Sequence, residues 1–134
     1  MLKVEDVMLN NPPLLSCDQG LSVAVDMILN SGYLGLPVID AQKHLIGFLS
    51  EQDCIKVLIR DSYYCDSHTL VKDVMREDPL SVPPHLSVLE FAQNLVKGKP
   101  KIFPVVEDNH VVGLVTRGQV MKSLSQSLQS CRVT

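Results

Sequence analysis

The sequence has no tryptophan, and its other aromatics are three tyrosines and three phenylalanines in 134 residues. Stacking platforms for single-stranded nucleic acid are therefore poorly provided for. Positive charge is not in excess either. Twelve Lys and Arg stand against 15 Asp and Glu, a net charge of −3, whereas a nucleic-acid surface wants a basic face. No apolar run approaches the roughly 18 residues of a membrane span. The opening MLKVEDVM is acidic and amphipathic, unlike a signal peptide. Four cysteines, Cys17, Cys54, Cys65 and Cys131, lie far apart with no C-x-x-C or Cys/His ligand spacing. Reduced thiols in a cytoplasmic protein are the expectation, with no metal held by them. A glycine-rich phosphate loop, a nucleophile beside a base, and paired carboxylates at helical spacing next to a base are also missing, so nothing points to an enzyme.

What the sequence does have is a core and a repeat. A hydrophobic content of 46% with 20% charged residues reads as a globular domain, long enough to bury a core. Shifted by 67 residues, Val4, Asp6, Val7 and Met8 fall on Val71, Asp73, Val74 and Met75. Pro12 falls on Pro79, and Pro37-Val38 on Pro104-Val105. Leu21, Ala24, Val25, Ile28 and Leu29 have the spacing of one helix face, and their counterparts Val88, Phe91, Ala92, Leu95 and Val96 are apolar throughout. After Asp40 and Glu107 the second copy is one residue shorter, so His44 and Gly47 answer His110 and Gly113. A turn is where such a difference is best tolerated.

Each copy reads alike. A short amphipathic segment, VEDVM or VKDVM, precedes an extended piece at 14–17 or 80–82. A helix follows over 21–31 or 86–97, with Gly32 or Gly98 as its stop signal. Then come two extended runs, LPVID with LIGFLS and FPVVE with VVGLVT, whose polar joints AQK and DN suggest hairpins. A last helix starts after Ser50 or Thr116, with Ile55, Leu58, Ile59 and Val120, Leu124, Leu128 expected to face inward. The predicted class is α+β: two repeats of strand-helix-strand-strand-helix, related by a pseudo-twofold and packed sheet to sheet into one module. The expected boundaries are 1–60 and 71–129 for the repeats, 61–70 for a linker and 130–134 for a tail.

Two copies of D-V-M-x-x-x-P, an apolar helix, h-P-V-h-D/E and G-h-h-S/T-x-x-D (the last with Gln119 for Asp53) resemble a tandem pair of cystathionine β-synthase (CBS) domains, a Bateman module. The resemblance implies a ligand-sensing module that binds AMP, ADP, ATP or S-adenosyl compounds in clefts between the copies. It further implies that the Ser/Thr of the last motif contacts ribose or phosphate and that its Asp accepts from both ribose hydroxyls. The base would lie against apolar residues near the first strand. Basic residues just before the h-P-V strand would meet phosphate.

Ser50-Glu51-Gln52-Asp53 has a plainer explanation as well. Ser at the N-cap with an acid three positions on is a capping arrangement worth about 1 kcal/mol, and Thr116 with Gln119 satisfies the same rule. The two roles are compatible, because helix-start N–H groups also suit an anion. A carboxylate, however, offers two acceptor oxygens to a cis-diol where a Gln amide offers one. One competent cleft is therefore expected at Ser50, Gln52 and Asp53, completed by Leu80, Ser81, Lys101 and Pro104. A weaker one is expected at Leu14, Leu15, Pro37, Thr116 and Gln119. Which copy supplies each wall stays open, and Lys101 in KGKPK is either a phosphate contact or a solvated lysine.

His44 and His110 read as turn residues rather than ligands, and Asp66 and His68 lack ligand spacing. Asp6 and Asp73 read as helix-end caps, Met8 and Met75 as core. Cys54 beside Asp53 is disfavoured as a thiolate. The expected partners are an adenosyl ligand acting as a regulator, a second copy of the chain in a homodimer and a regulated protein; nucleic acid, membrane and a cofactor proper are not expected. The competing reading is a dimerisation or protein-interaction domain with vestigial clefts.

Overall fold

The computed structural model describes residues 1–65, 68–98 and 100–131. The elements run α1 (Val4–Val7), β1 (Leu9–Asn10), β2 (Leu15–Ser16), α2 (Leu21–Ser31), β3 (Gly35–Ile39), β4 (Leu45–Ser50) and α3 (Glu51–Tyr64). After a single 3-10 turn at Val71–Asp73 come β5 (Arg76–Glu77), α4 (Val88–Leu95), β6 (Ile102–Glu107), β7 (His110–Thr116) and α5 (Arg117–Ser130). The predicted α+β class, with two sheets, is what the chain adopts.

The chain folds into two compact units that do not follow the repeat boundaries. One contains Pro13–Pro79 with Asn109–Val111; the other contains Met1–Pro12, Leu80–Asp108 and Val112–Thr134. In the first, the sheet order is β2-β3-β4-β5, with β2 parallel to β3 and the other pairs antiparallel. In the second it is β1-β7-β6, with β1 antiparallel to β7. Each unit thus takes the segment after its D-V-M motif from the opposite repeat. The two-residue strands β1 and β5 are absent from the sequence reading, because two residues carry no period.

Packing explains the exchange. Gly47 and Gly113 are buried, and a β-carbon at either would run into the sulfur of Met75 or Met8, respectively. The glycine of the last motif exists to seat the methionine of D-V-M, and each pair brings residues of the two repeats together in one unit. Val4 and Val71, both with no exposed surface, anchor the same segments. Asp6 and Asp73 accept the backbone N–H groups of Lys3 and Leu70, the predicted capping role.

The second unit's core is Val4, Val88, Phe91, Phe103, Val105, Val115 and Val120. That of the first includes Leu15, Leu21, Ala24, Ile28, Leu36, Val38 and Leu49. Helix α2 matches its predicted span, and α4 is shorter than predicted, starting after Ser87, which accepts the Glu90 N–H. Gly32 (φ 76°) and Gly98 (φ 84°) adopt the left-handed conformation expected of stop signals. Leu29 and Val96, assigned to the buried face, are exposed instead. At about 100° per residue Leu29 lies roughly 80° round from Leu21, at the stripe's margin, and Val96 is its equivalent.

A larger departure concerns the last helix of each repeat. Ile55, Leu58, Ile59, Leu124 and Leu128 are exposed rather than inward, and only Val120 of that set is buried. Cys54 and Asp61 on α3, and Val120 and Ser123 on α5, take the inner positions. Helix α3 runs on to Tyr64, into the segment read as a linker. Asp61 is buried there, accepting from the Thr69 hydroxyl at 2.7 Å and pairing with Arg60 at 3.0 Å. Asp66 of the linker and the tail beyond Cys131 lie outside the described residues.

The one-residue difference between the copies sits in the hairpins as expected. Asp108 and Asn109 (φ 51° and 68°) form a two-residue turn with both residues left-handed. The three-residue joint of the first copy has Lys43 at φ 66°, and the pairing shifts between Val38 and Ile39 to absorb the extra residue.

Candidate functional site

The first unit's candidate site is built where β4 runs into α3. Ser50 is extended (φ −103°, ψ 162°) and caps the helix, its hydroxyl oxygen accepting the Asp53 N–H at 3.2 Å. Asp53 reaches back: its Oδ2 accepts from the Ser50 N–H at 3.3 Å and from the Ser50 hydroxyl at 2.8 Å. The Glu51 N–H donates to the Leu34 carbonyl at 2.8 Å, fixing the helix start against β3. This is the predicted capping box.

A group not foreseen from the sequence completes the site. Arg76 stands opposite Phe48 in the β4–β5 pairing. Its Nε–H donates to Asp53 Oδ1 at 3.3 Å and lies 3.2 Å from Oδ2. The Asp53 side chain is 15% exposed and the Arg76 side chain 63%, so the acid is recessed while the guanidinium lies largely in solvent. Asp53 is therefore held from two sides, by its own helix start and by a strand of the other repeat. The only readable signal was that Arg76 answers Leu9 in the alignment of the copies.

Cys54 follows Asp53 but points into the core. Burial, and then the Asp53 and Glu51 carboxylates, push its thiol up to about 11. It stays protonated at neutral pH and is no nucleophile.

The second unit repeats the scaffold without the charges. Thr116 caps α5, accepting the Gln119 N–H at 3.2 Å, and its own N–H donates to Gln119 Oε1 at 2.8 Å. The Arg117 N–H donates to the Lys101 carbonyl at 3.0 Å, the counterpart of the Glu51–Leu34 bond. Leu9 occupies the register place of Arg76, opposite Leu114. An amide at the acid's position and a leucine at the arginine's leave this helix start without the charged pair.

The remaining predicted residues divide by unit. Gln52, Leu14, Leu15 and Pro37 share the first unit with Ser50 and Asp53. Leu80, Ser81, Lys101 and Pro104 share the second with Thr116 and Gln119. Gln52 is exposed on the first turn of α3, and Leu80, Ser81 and Lys101 are exposed as well. Leu15, Pro37 and Pro104 are fully buried in strands and serve as core, and Leu14 is half-buried. Val82 bridges Val105 in parallel, and its N–H donates to the Pro104 carbonyl at 3.1 Å. His44 and His110 meet edge to face with ring centres 5.1 Å apart, and His44 Nδ1 lies 3.7 Å from Asp40 Oδ2. Among the described residues no three His, Cys, Asp or Glu are placed to hold a metal ion. Nor is any described helix long and apolar enough to cross a membrane.

Comparison with known proteins fits this geometry. The CBS domain pattern matches residues 4–60 and 71–126. The chain is 31% identical over 130 residues to the A-adding tRNA nucleotidyltransferase of Aquifex aeolicus, covering 96% of this chain and 15% of that protein. It is 29% identical over 120 residues to the inosine-5'-monophosphate dehydrogenase of Nitrosopumilus maritimus, covering 87% of this chain and 24% of that one. The chain thus spans a quarter or less of these relatives. Among solved structures it superposes on AcuB, a putative acetoin utilization protein from Vibrio cholerae, with a TM-score of 0.85, 28% identity, and 100% and 98% of the two chains covered. CBSX2, solved in complex with AMP, gives a TM-score of 0.82 at 26% identity, covering 96% and 99%. The chain belongs to the CBS-domain family, with two CBS domains in tandem.

Proposed function

We propose that this CBS pair is a regulatory module that binds an adenosyl compound at the start of α3, with Asp53 accepting from the ribose hydroxyls and Ser50 beside it. The observation that carries this reading is the recessed Asp53 carboxylate, positioned by Ser50 and Arg76. Gln119 at the equivalent place brings one neutral acceptor oxygen, which caps the Thr116 N–H, and a donor amide nitrogen, where Asp53 brings two charged oxygens. Support comes from CBSX2, which holds AMP and is 26% identical. The diversity of the longer relatives, a nucleotidyltransferase and a dehydrogenase, also fits a shared piece that regulates rather than catalyses. Ligand binding would favour one arrangement of the module, which a regulated partner would sense. Calorimetry with AMP, ADP, ATP and S-adenosylmethionine tests the reading; folded protein that takes up none of them at millimolar concentration sinks it.

A second reading rests on a separate observation. Helix α3 exposes Ile55, Ile59, Tyr63 and Tyr64, and α5 exposes Met121, Leu124 and Leu128. Apolar rows of this kind suit a protein interface, and a second copy of the chain is the proposed occupant. Sedimentation velocity checks it: the wild type should run as a dimer and Ile59→Glu as a monomer. If the module serves only association, nucleotides will leave its thermal midpoint unchanged.

A further inference from the structure

Capping of α3 needs Ser50 and the Asp53 acceptor; it does not need Arg76. Helix α5 makes the point, since Thr116 and Gln119 form the same box with Leu9 where Arg76 would be. Acid and base are present together in one unit and absent together in the other. That pattern calls for a role that uses both charges.

We infer that Arg76 selects the ligand by charge, neutralising Asp53 and offering its remaining donors to an anion. The preferred occupant is then an adenosyl ligand that carries a phosphate, over a neutral nucleoside or a sulfonium cation. This deepens the reading of Ser50–Asp53 as a ribose-holding site and rests on it.

The guanidinium has five N–H donors, of which Nε–H alone is spent on Asp53. Among the described residues its terminal nitrogens have no hydrogen-bond partner, and the side chain is 63% exposed against 15% for the acid. The fork therefore presents two outward nitrogens in the geometry that takes a phosphate bidentately, next to the carboxylate that takes the diol. The Asp53–Arg76 pair has no net charge. A neutral nucleoside must share Asp53 with Arg76 and gains nothing from it. A sulfonium close to the guanidinium is repelled. A phosphate gains two charge-assisted hydrogen bonds, and adding salt weakens that gain.

Calorimetry on the full chain with AMP, adenosine and S-adenosylmethionine, for wild type, Arg76→Gln and Arg76→Lys, tests the inference. The wild type should prefer AMP to adenosine by on the order of tenfold or more, because solvent around the 63% exposed guanidinium screens much of the gain from the two charge-assisted bonds. Arg76→Gln should bring the ratio close to one without loss of adenosine affinity, and Arg76→Lys should keep most of the preference. Circular dichroism melts establish that both variants are folded, as the exposed position leads one to expect. An equal loss of AMP and adenosine in Arg76→Gln would mean that Arg76 merely orients Asp53, and overturns the inference. So does a wild type that binds both ligands equally. A wild type that binds none of the three defeats the ribose-site reading first, and the charge selection with it.

Discussion

Replacing Asp53 with alanine separates capping from ligand binding, because the two roles differ in size. The substitution removes the hydrogen bonds that Oδ2 accepts from the Ser50 N–H and hydroxyl, at 3.3 and 2.8 Å. It also removes the Arg76 pair. Half of the capping box survives, since the residue 53 N–H still donates to the Ser50 hydroxyl. The lost cap is worth about 1 kcal/mol. With Arg76 63% exposed, the ion pair adds roughly 0.2–1 kcal/mol. Stability should thus fall by about 1–2 kcal/mol. Gln119→Ala loses one 2.8 Å bond and no ion pair, so about 0.5–1 kcal/mol is expected there. Ligand affinity should diverge far more. Two ribose hydroxyls donating to a charged acceptor are worth roughly 1.5–3 kcal/mol each, which makes Asp53→Ala weaker by on the order of a hundredfold or more. Gln119→Ala should change affinity little. Urea denaturation measures the first pair of numbers and AMP calorimetry the second. Equal affinity losses for the two variants would refute the asymmetry of the units, and an unaffected Asp53→Ala would reduce Asp53 to a cap.

Two further outcomes follow from the packing. Gly47→Ala places a β-carbon against the Met75 sulfur and 3.0 Å from the Arg76 carbonyl, and Gly113→Ala places one against the Met8 sulfur and 2.8 Å from the Leu9 carbonyl. Each should cost about 1–3 kcal/mol in urea unfolding, with Met75→Ala relieving part of the Gly47→Ala cost. The Cys54 thiol, raised from 9.0 to about 11, stabilises the fold in its protonated form. That contribution is complete below pH 9 and declines as pH rises towards 11. Stability followed across this window should fall more steeply in wild type than in Cys54→Ala. Native labelling with iodoacetamide at pH 8 should modify the exposed Cys65 and Cys131 and spare Cys54.

Period and punctuation made much of the fold legible. The spacing of Leu21, Ala24 and Ile28 located α2, and Gly32 ended it where a left-handed residue was needed. Both capping boxes were readable because they are local, each closing within three residues. What escaped was non-local or marginal. The partner of Asp53 lies 23 residues on, in the other repeat, on a strand two residues long. No spacing rule joins such positions; only the contrast of Arg76 with Leu9 hinted at a difference. The inner faces of α3 and α5 were misjudged because the apolar residues there outnumber the core positions. Hydrophobicity alone could not tell Val120, at 2% exposure, from Leu128, at 61%. The inner positions went partly to Asp61 and Ser123, whose polarity hides them from a pattern of apolar residues.

The strand exchange has a consequence that can be measured on fragments. Cutting by repeat gives residues 1–60, which keep β2, β3, β4 and α2 but lose β5, the buried Val71 and the methionine seated on Gly47. The same cut truncates α3, removing its last four residues with the buried Asp61 and its partner Thr69, and leaves Met1–Pro12 without the β7 edge that it pairs with. Cutting by compact unit gives residues 13–79, which retain all four strands of one sheet and the Asp53–Arg76 pair. Val71 alone, taken from full burial, is worth about 1.5–3 kcal/mol, and the unpaired β4 edge adds unsatisfied backbone groups. In a small domain such differences are a large part of the total stability. The fragment 13–79 should therefore unfold at higher urea than 1–60 and give the more cooperative transition, although 1–60 follows the family's own boundary. The reverse order of midpoints would mean that the exchanged segments contribute little. In that case the Asp53–Arg76 pair would have to be regarded as a surface contact rather than a part of the unit's architecture.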